Sequence, residues 1–352
     1  MRQDILEALR GGTPSRVPWT IHHELLPRGS LERRLREQGL AIVEKGVRPY
    51  QEGHERVSLE ERSGWQGEVR RVLRTWHTPL GELRGCLRLG PDGSLWTEEY
   101  PLRSPADFHL LEYISEDTEY RENDRAVADA QRALGEDGVV LCRMMRSPLQ
   151  RLLAEWLGTV GLAYALADAP RPLENLLSRL AAKDLEALRI AARSPAEIVW
   201  SAENVTAEVT GPELFRRFLR PYYEQAGAIL RPAGKLYGVH LDGRLGALKG
   251  EIACCPLDFV EGFTPPPLGD LELEQARAAW PGKALWVNVP GTIFLHEEGR
   301  VIRELRELLE QGMAAGGFLL TLTEEFPDPE RSLLLLAEAV AAKKLDSRKG
   351  RS

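Results

Sequence analysis

The stretch LDFVEGFTPPPLGDLELEQARAAWPGKALWVNVPG, Leu257–Gly291, decides the fold. It opens on a short apolar run and passes through a turn rich in proline and glycine. An amphipathic pattern, LELEQARAAW, follows, and then a second apolar, β-branched run. Two such strands joined through a helix lie parallel and are connected by a right-handed crossover. The same unit recurs in both directions. Upstream, GVVLCRMM (Gly138–Met145), EIVWSAEN (Glu197–Asn204) and KLYGVHLDG (Lys235–Gly243) are strand runs with helical patterns after them. Downstream, GFLLTLTEE (Gly317–Glu325) precedes PERSLLLLAEAVAAKK. Near the start, VPWTIHH (Val17–His23) and GLAIVEKG (Gly39–Gly46) supply two more strands and bring the count to eight. No G-x-G-x-x-G or G-x-x-x-x-G-K-[ST] follows any strand, so an open nucleotide-binding sheet is disfavoured. The expected fold is α/β, a closed (β/α)8 TIM barrel.

Residues 56–100 interrupt this alternation. They hold polar–apolar alternation with turn signals at Pro79-Leu80-Gly81 and Pro91-Asp92-Gly93, the pattern of antiparallel hairpins. Their roles open to sequence reasoning are a cap, an oligomer contact that would make the protein a homodimer, or a lid. The expected organisation is one barrel domain over 1–345 carrying this β insertion, with 346–352 as a flexible tail.

Composition narrows the function classes. The chain has 352 residues, with 46 Lys and Arg against 53 Asp and Glu, a net charge of −7. That balance argues against a nucleic-acid partner, whose phosphates call for clustered positive charge. No apolar run approaches the roughly 20 residues that span a bilayer, so no membrane partner is expected. The opening MRQDILEALRGG has an acid inside it and does not read as a signal peptide, so a cytoplasmic location is expected. The four cysteines, Cys86, Cys142, Cys254 and Cys255, form no C-x-x-C pair.

A barrel of this kind places its active site at the C-terminal ends of the strands. The strand ends here are His22 and His23, Met145 and Arg146, Glu203 and Asn204, His240 and Asp242, Thr264, Asn288, and Glu324 with Glu325. Imidazoles, carboxylates and an amide would thus converge on one mouth around a small-molecule substrate. His240 and Asp242 share a face by strand periodicity and could ligate a metal, form an acid–base pair or simply satisfy each other. Glu203 is a candidate general acid or base. His22, His23, Arg146, Asn204, Thr264 and Asn288 are candidate substrate-binding groups.

These segments resemble the uroporphyrinogen decarboxylase superfamily. ALRGGTPSRVPW is similar to its opening and GPELFRRFLRPYYEQ to one of its helices. VHLDGRL, VEGFTPPPLGDLELEQARAAW, LWVNVPG and GFLLTLTEEFP are similar to its last four strand ends. Two motifs of the true decarboxylases are missing, an R-Q-A-G-R-Y segment and an F-S-D-I block, so the chain is closer to the cobalamin-linked methyltransferase branch. That branch implies zinc on an H-x-C motif and a later Cys. The matching positions here are His240, Asp242 and Glu324, with carboxylates in place of both thiolates. The resemblance therefore implies a divalent metal, zinc foremost, on these three residues. It also implies methyl transfer linked to a corrinoid held by a separate partner protein. The alternatives are a decarboxylase or lyase acting on a tetrapyrrole or another carboxylated substrate, and a non-catalytic binding protein.

Overall fold

The computed structural model describes residues 1–23, 25–90 and 93–342. The expected tail at 346–352 and the turn at Pro91-Asp92 lie outside the described residues. The chain divides into two compact units. The first takes in Met1–Pro49, Asn123–Met144 and Ala191–Ser352, and the second Tyr50–Glu122 and Met145–Ile190.

The first unit contains the barrel. Its strands are β1 (Trp19–Ile21), β2 (Leu40–Glu44), β9 (Gly138–Met144), β10 (Ile198–Ser201), β11 (Leu236–His240), β12 (Phe259–Phe263), β13 (Ala284–Asn288) and β14 (Phe318–Leu322). They close in the order β1-β14-β13-β12-β11-β10-β9-β2, all parallel. The eight runs read from the sequence are these eight strands. Each is apolar on both faces because one face lines the interior and the other meets helices. The helix Glu298–Met313 shows the outer pattern, burying Val301, Leu305, Leu308, Leu309 and Gly312 along one stripe.

Inside the barrel, Ala41, Val43, Val139, Leu141, Ile198, Trp200, Phe259, Ala284, Trp286 and Leu319 form one core. The first helix, α1 (Arg2–Leu9), packs Ile5, Leu6, Ala8 and Leu9 into it and stoppers the barrel at the strand starts. Burying each of these larger apolar side chains contributes about 1.5–3 kcal/mol. Within this core, Trp286 Nε1 donates to Thr20 Oγ1 at 3.2 Å. The opposite end, at the strand C-termini, is left for polar groups.

The second unit holds the expected insertion as antiparallel sheet. Its strands are β4 (Ser58–Gln66), β5 (Val69–Thr78), β6 (Gly81–Leu89) and β7 (Leu95–Glu99), in that spatial order. A further pair, β3 (Tyr50–His54) with β8 (Thr118–Glu122), was not legible as strands in the sequence. Buried Asp184 in this unit receives two bonds from Arg151, at 3.0 and 3.2 Å. Among the described residues no helix is long and apolar enough to cross a membrane.

Candidate active site

Strand alternation decides which side chains enter the mouth. On β2, Ala41 and Val43 face the interior core, so the next residue in phase is Lys45. On β9, Val139 and Leu141 face inward, which puts half-buried Arg143 next in phase. On β11 the inward positions end at His240. On β12, Phe259 is inward and so is Glu261.

Three of these groups meet. Glu261 is completely buried. Its Oε1 accepts from Lys45 Nζ at 2.7 Å and its Oε2 from His240 Nδ1 at 2.6 Å. On the far side of the imidazole, His240 Nε2 stands 3.4 Å from Asp242 Oδ2. The result is a chain of alternating charge, Lys45–Glu261–His240–Asp242, with Glu261 buried inside it and Asp242 half-exposed at its end. Trp200 forms its floor, with Lys45 Nζ 5.2 Å above the ring centroid and the His240 ring edge-on at 6.2 Å.

The backbone around Glu261 is built for this contact. The β12–β13 register slips between Glu261 and Phe263, and the extra residue is Gly262, with φ of +82°. A Cβ on Gly262 would lie 2.5 Å from His240 Cε1, so only glycine lets the imidazole sit against the bulge.

Electrostatics follow from the geometry. Burial by itself would push the His240 imidazole down. The Glu261 charge, with hydrogen bonds to Asp242 and Glu261, overrides burial and raises its pKa to about 10. Glu261 is opposed by burial in the same way, yet Lys45 and His240 hold its carboxyl well below the usual range. His240 is therefore an imidazolium at neutral pH. Nδ1–H is committed to Glu261, and Nε2–H is the proton more loosely held.

A second cluster lies at the ends of β12, β13 and β14. Asn288, fully buried, donates through Nδ2 to Glu324 Oε1 at 3.0 Å, and its Oδ1 accepts from Thr323 N–H at 3.1 Å. Glu324 Oε2 accepts from Gly291 N–H at 3.4 Å. Buried Thr264 donates to Gly262 O at 2.9 Å and stands 3.5 Å from Asn288 Nδ2.

The other sequence-derived candidates are placed as follows. His22 and His23 follow β1, with ring centroids 4.4 Å apart. Glu203 is fully buried, and its charge adds to burial in driving the Tyr237 hydroxyl pKa well up. Asn204 is exposed. Arg146 belongs to the second unit, where it pairs with Glu155 at 2.8 Å.

The expected metal set does not assemble. His240 has both ring nitrogens turned to carboxylates, Nδ1 to Glu261 at 2.6 Å and Nε2 to Asp242 at 3.4 Å. Glu324 is instead engaged with Asn288 and the Gly291 backbone. Among the described residues no three His, Cys, Asp or Glu side chains are grouped so as to hold one ion. As they stand, these residues do not fit a zinc centre.

Lys45, Glu261 and Arg143 are not reached by reading the last residue of each apolar run. The signal was present in the phase. Counting by twos from Ala41, Val139 and Phe259 arrives at all three.

No protein-family model matches the chain, and no curated protein matches it. Among solved structures, a methyltransferase from Methanosarcina mazei is similar over 97% of this chain and 98% of its own, with a TM-score of 0.59 and 15% identity. The likeness is one of fold. Weaker similarities are to the pneumococcal virulence factor StrH and to an endoglucanase. StrH, whose structure is described for N-glycan recognition and hydrolysis, shows 9% identity, covers 96% of this chain and 85% of that one, and has a TM-score of 0.40. The broad-specificity GH5-4 endoglucanase from an uncultured bacterium shows 9% identity, 68% and 85% coverage, and a TM-score of 0.36.

Proposed function

We propose that this chain is a barrel enzyme of methyl transfer in which His240 is the proton donor. The observation that carries the reading is the Lys45–Glu261–His240–Asp242 chain at the strand C-termini. The fold shared with a methyltransferase supports it. In the step we envisage, a substrate methyl group bonded to oxygen or nitrogen passes to an acceptor. The electron pair of the broken bond stays on the heteroatom, which takes the His240 Nε2 proton. Glu261 holds the ring in place through Nδ1 and stabilises its charge, and Lys45 keeps Glu261 ionised. Asp242, half exposed, is placed to return a proton from solvent. The acceptor is a reduced cobalt(I) corrinoid carried by a separate protein, a co-substrate of this chain rather than a group it holds, and it supplies the electron pair of the new bond to the methyl carbon.

A second reading has a specific observation behind it. Arg143, in the inward phase of β9, is a cation suited to a carboxylate, as a decarboxylase acting on a carboxylated substrate would require. Here too His240 would deliver the proton, to the carbanion left by departing CO2.

The test is to incubate the purified chain with a methoxybenzoate or a methylamine and reduced cobalamin, and to follow release of the phenol or amine. Demethylation is expected, slowed by about 100-fold or more in His240→Asn, the size of contribution general acids make. An unimpaired His240→Asn enzyme, or no turnover of either donor class, would sink the proposal. Release of CO2 from a carboxylated substrate in its place would select the second reading.

A further inference from the structure

We propose that the protein forms a two-fold dimer by antiparallel pairing of β4 with β4 of a second copy. β4 is one edge of the four-stranded sheet and runs for nine residues. Its register with β5 is unbroken from Ser58 opposite His77 to Gln66 opposite Val69. It contains no proline, no lysine and no bulge, three of the devices by which an edge strand is kept from recruiting another; its charges, Glu60, Glu61 and Arg62, are of both signs and can pair across a two-fold. The opposite edge is treated differently. β7 has five residues, and its pairing with β6 shifts register at Cys86–Leu87. One edge is blunted and the other left open.

The side chains of β4 identify the occupant as β4 itself. Leu59 and Trp65 lie on the same face of the strand and are 48% and 72% exposed. A two-fold axis perpendicular to the sheet at Arg62 keeps each face on its own side. It sets Leu59 opposite Trp65 of the second copy, and Trp65 opposite Leu59. This covers both exposed side chains twice over and pairs all nine residues. Cross-strand apolar pairs of this kind are the unit of sheet stabilisation. The same register places Glu61 opposite Ser63 and Glu60 opposite Gly64, so no two acids stand directly opposite; the two Glu61 side chains meet on the diagonal, each already paired with Arg74 of its own sheet at 2.6 Å. The two Arg62 side chains meet at the axis. Each already has Glu60 Oε1 of its own strand at 2.7 Å and gains Glu60 of the second copy on the diagonal, so the four charges alternate in sign.

The test uses the full chain. Sedimentation velocity is expected to give about twice the chain mass of 39.4 kDa, and Trp65→Lys or Leu59→Lys is expected to return the monomer with an unchanged circular dichroism spectrum. Register is tested separately. In a Cys254→Ser background, which removes the exposed native thiol, Arg62→Cys is expected to cross-link to dimer on mild oxidation, because only the residue on the axis faces its own copy. A monomeric wild type, a dimer indifferent to both lysine substitutions, or cross-linking by Glu61→Cys in place of Arg62→Cys would each overturn the proposal.

Discussion

Replacing Glu261 by glutamine keeps the shape of the side chain and removes one negative charge from between two cations. Glu261 is fully buried, 2.7 Å from Lys45 and 2.6 Å from His240. Leaving such a pair half-broken costs about 3–5 kcal/mol of folding stability. The pH dependence is more diagnostic than the loss itself. In the wild type, His240 is raised from 6.5 to about 10 by folding. Its contribution is therefore fully present below about pH 6.5 and is lost as pH rises toward 10. Between those values the folded state holds a proton that the unfolded chain has released. Stability then falls by up to ~1.4 kcal/mol per pH unit on account of this group. Glu261 is depressed, so its contribution is present above the ordinary carboxylate value of 4.5 and is lost as pH falls below it. The pair supports the fold best between about pH 4.5 and 6.5. In Glu261→Gln the closer and buried one of the two anions that hold the imidazolium is gone. Asp242 alone then opposes burial, and the His240 pKa should fall well below its wild-type value. Urea unfolding at a series of pH values, with NMR of the labelled His240 ring, measures both quantities. If the variant keeps the wild-type alkaline slope, or if its His240 still titrates near 10, the charge chain does not do what is claimed for it.

Two further outcomes are expected. Gly262→Ala forces a side chain into positive φ with its Cβ 2.5 Å from His240 Cε1, so it should lower stability by about 1–3 kcal/mol and move the His240 resonance even where the barrel stays folded; a silent substitution would show that the bulge is not what seats the imidazole. In the second unit, burial outweighs Arg151 and raises the Asp184 carboxyl to about 6. Holding that charge at neutral pH therefore costs stability, which falls as pH rises from about 4 to 6. Asp184→Asn should remove this dependence with little net loss, whereas Arg151→Met strands a buried carboxylate and should cost about 3 kcal/mol or more in chemical unfolding. Equal losses from the two variants would contradict the ordering.

The barrel was legible in the sequence because its strands are buried on both faces and stand out as short apolar runs, as in ALWVN and FLLTL. The site was legible only in part. His240 and Asp242 announce themselves by spacing, and Asn288 and Glu324 by ending apolar strands. Glu261 does not, because it sits inside a strand one residue before a bulge, where a one-residue slip changes which side chain faces the mouth. Ligand convergence was also out of reach. Two carboxylates at strand ends look equivalent in the sequence. Yet Glu324 is drawn to Asn288, while the buried partner of His240 is Glu261, on the neighbouring strand. The pair β3–β8 was not legible because its halves are polar and some 70 residues apart, so neither half carries a signal without the other.

The seam of the barrel sets a timetable for synthesis. β1 pairs with β14, Trp19 lying beside Leu320, so the ring cannot close until about 300 further residues have been made. At the ~5–20 residues per second of translation, that interval is roughly 15–60 s. Throughout it the apolar stripe of α1 lacks the β13 and β14 surfaces that complete its seat. A nascent chain in this state presents Ile5, Leu6 and Leu9 beside a half-built sheet with two open edges. Expression yield should therefore depend on holdase chaperones at the ribosome more than equilibrium stability alone would suggest, and slowing translation should lengthen the vulnerable period rather than relieve it.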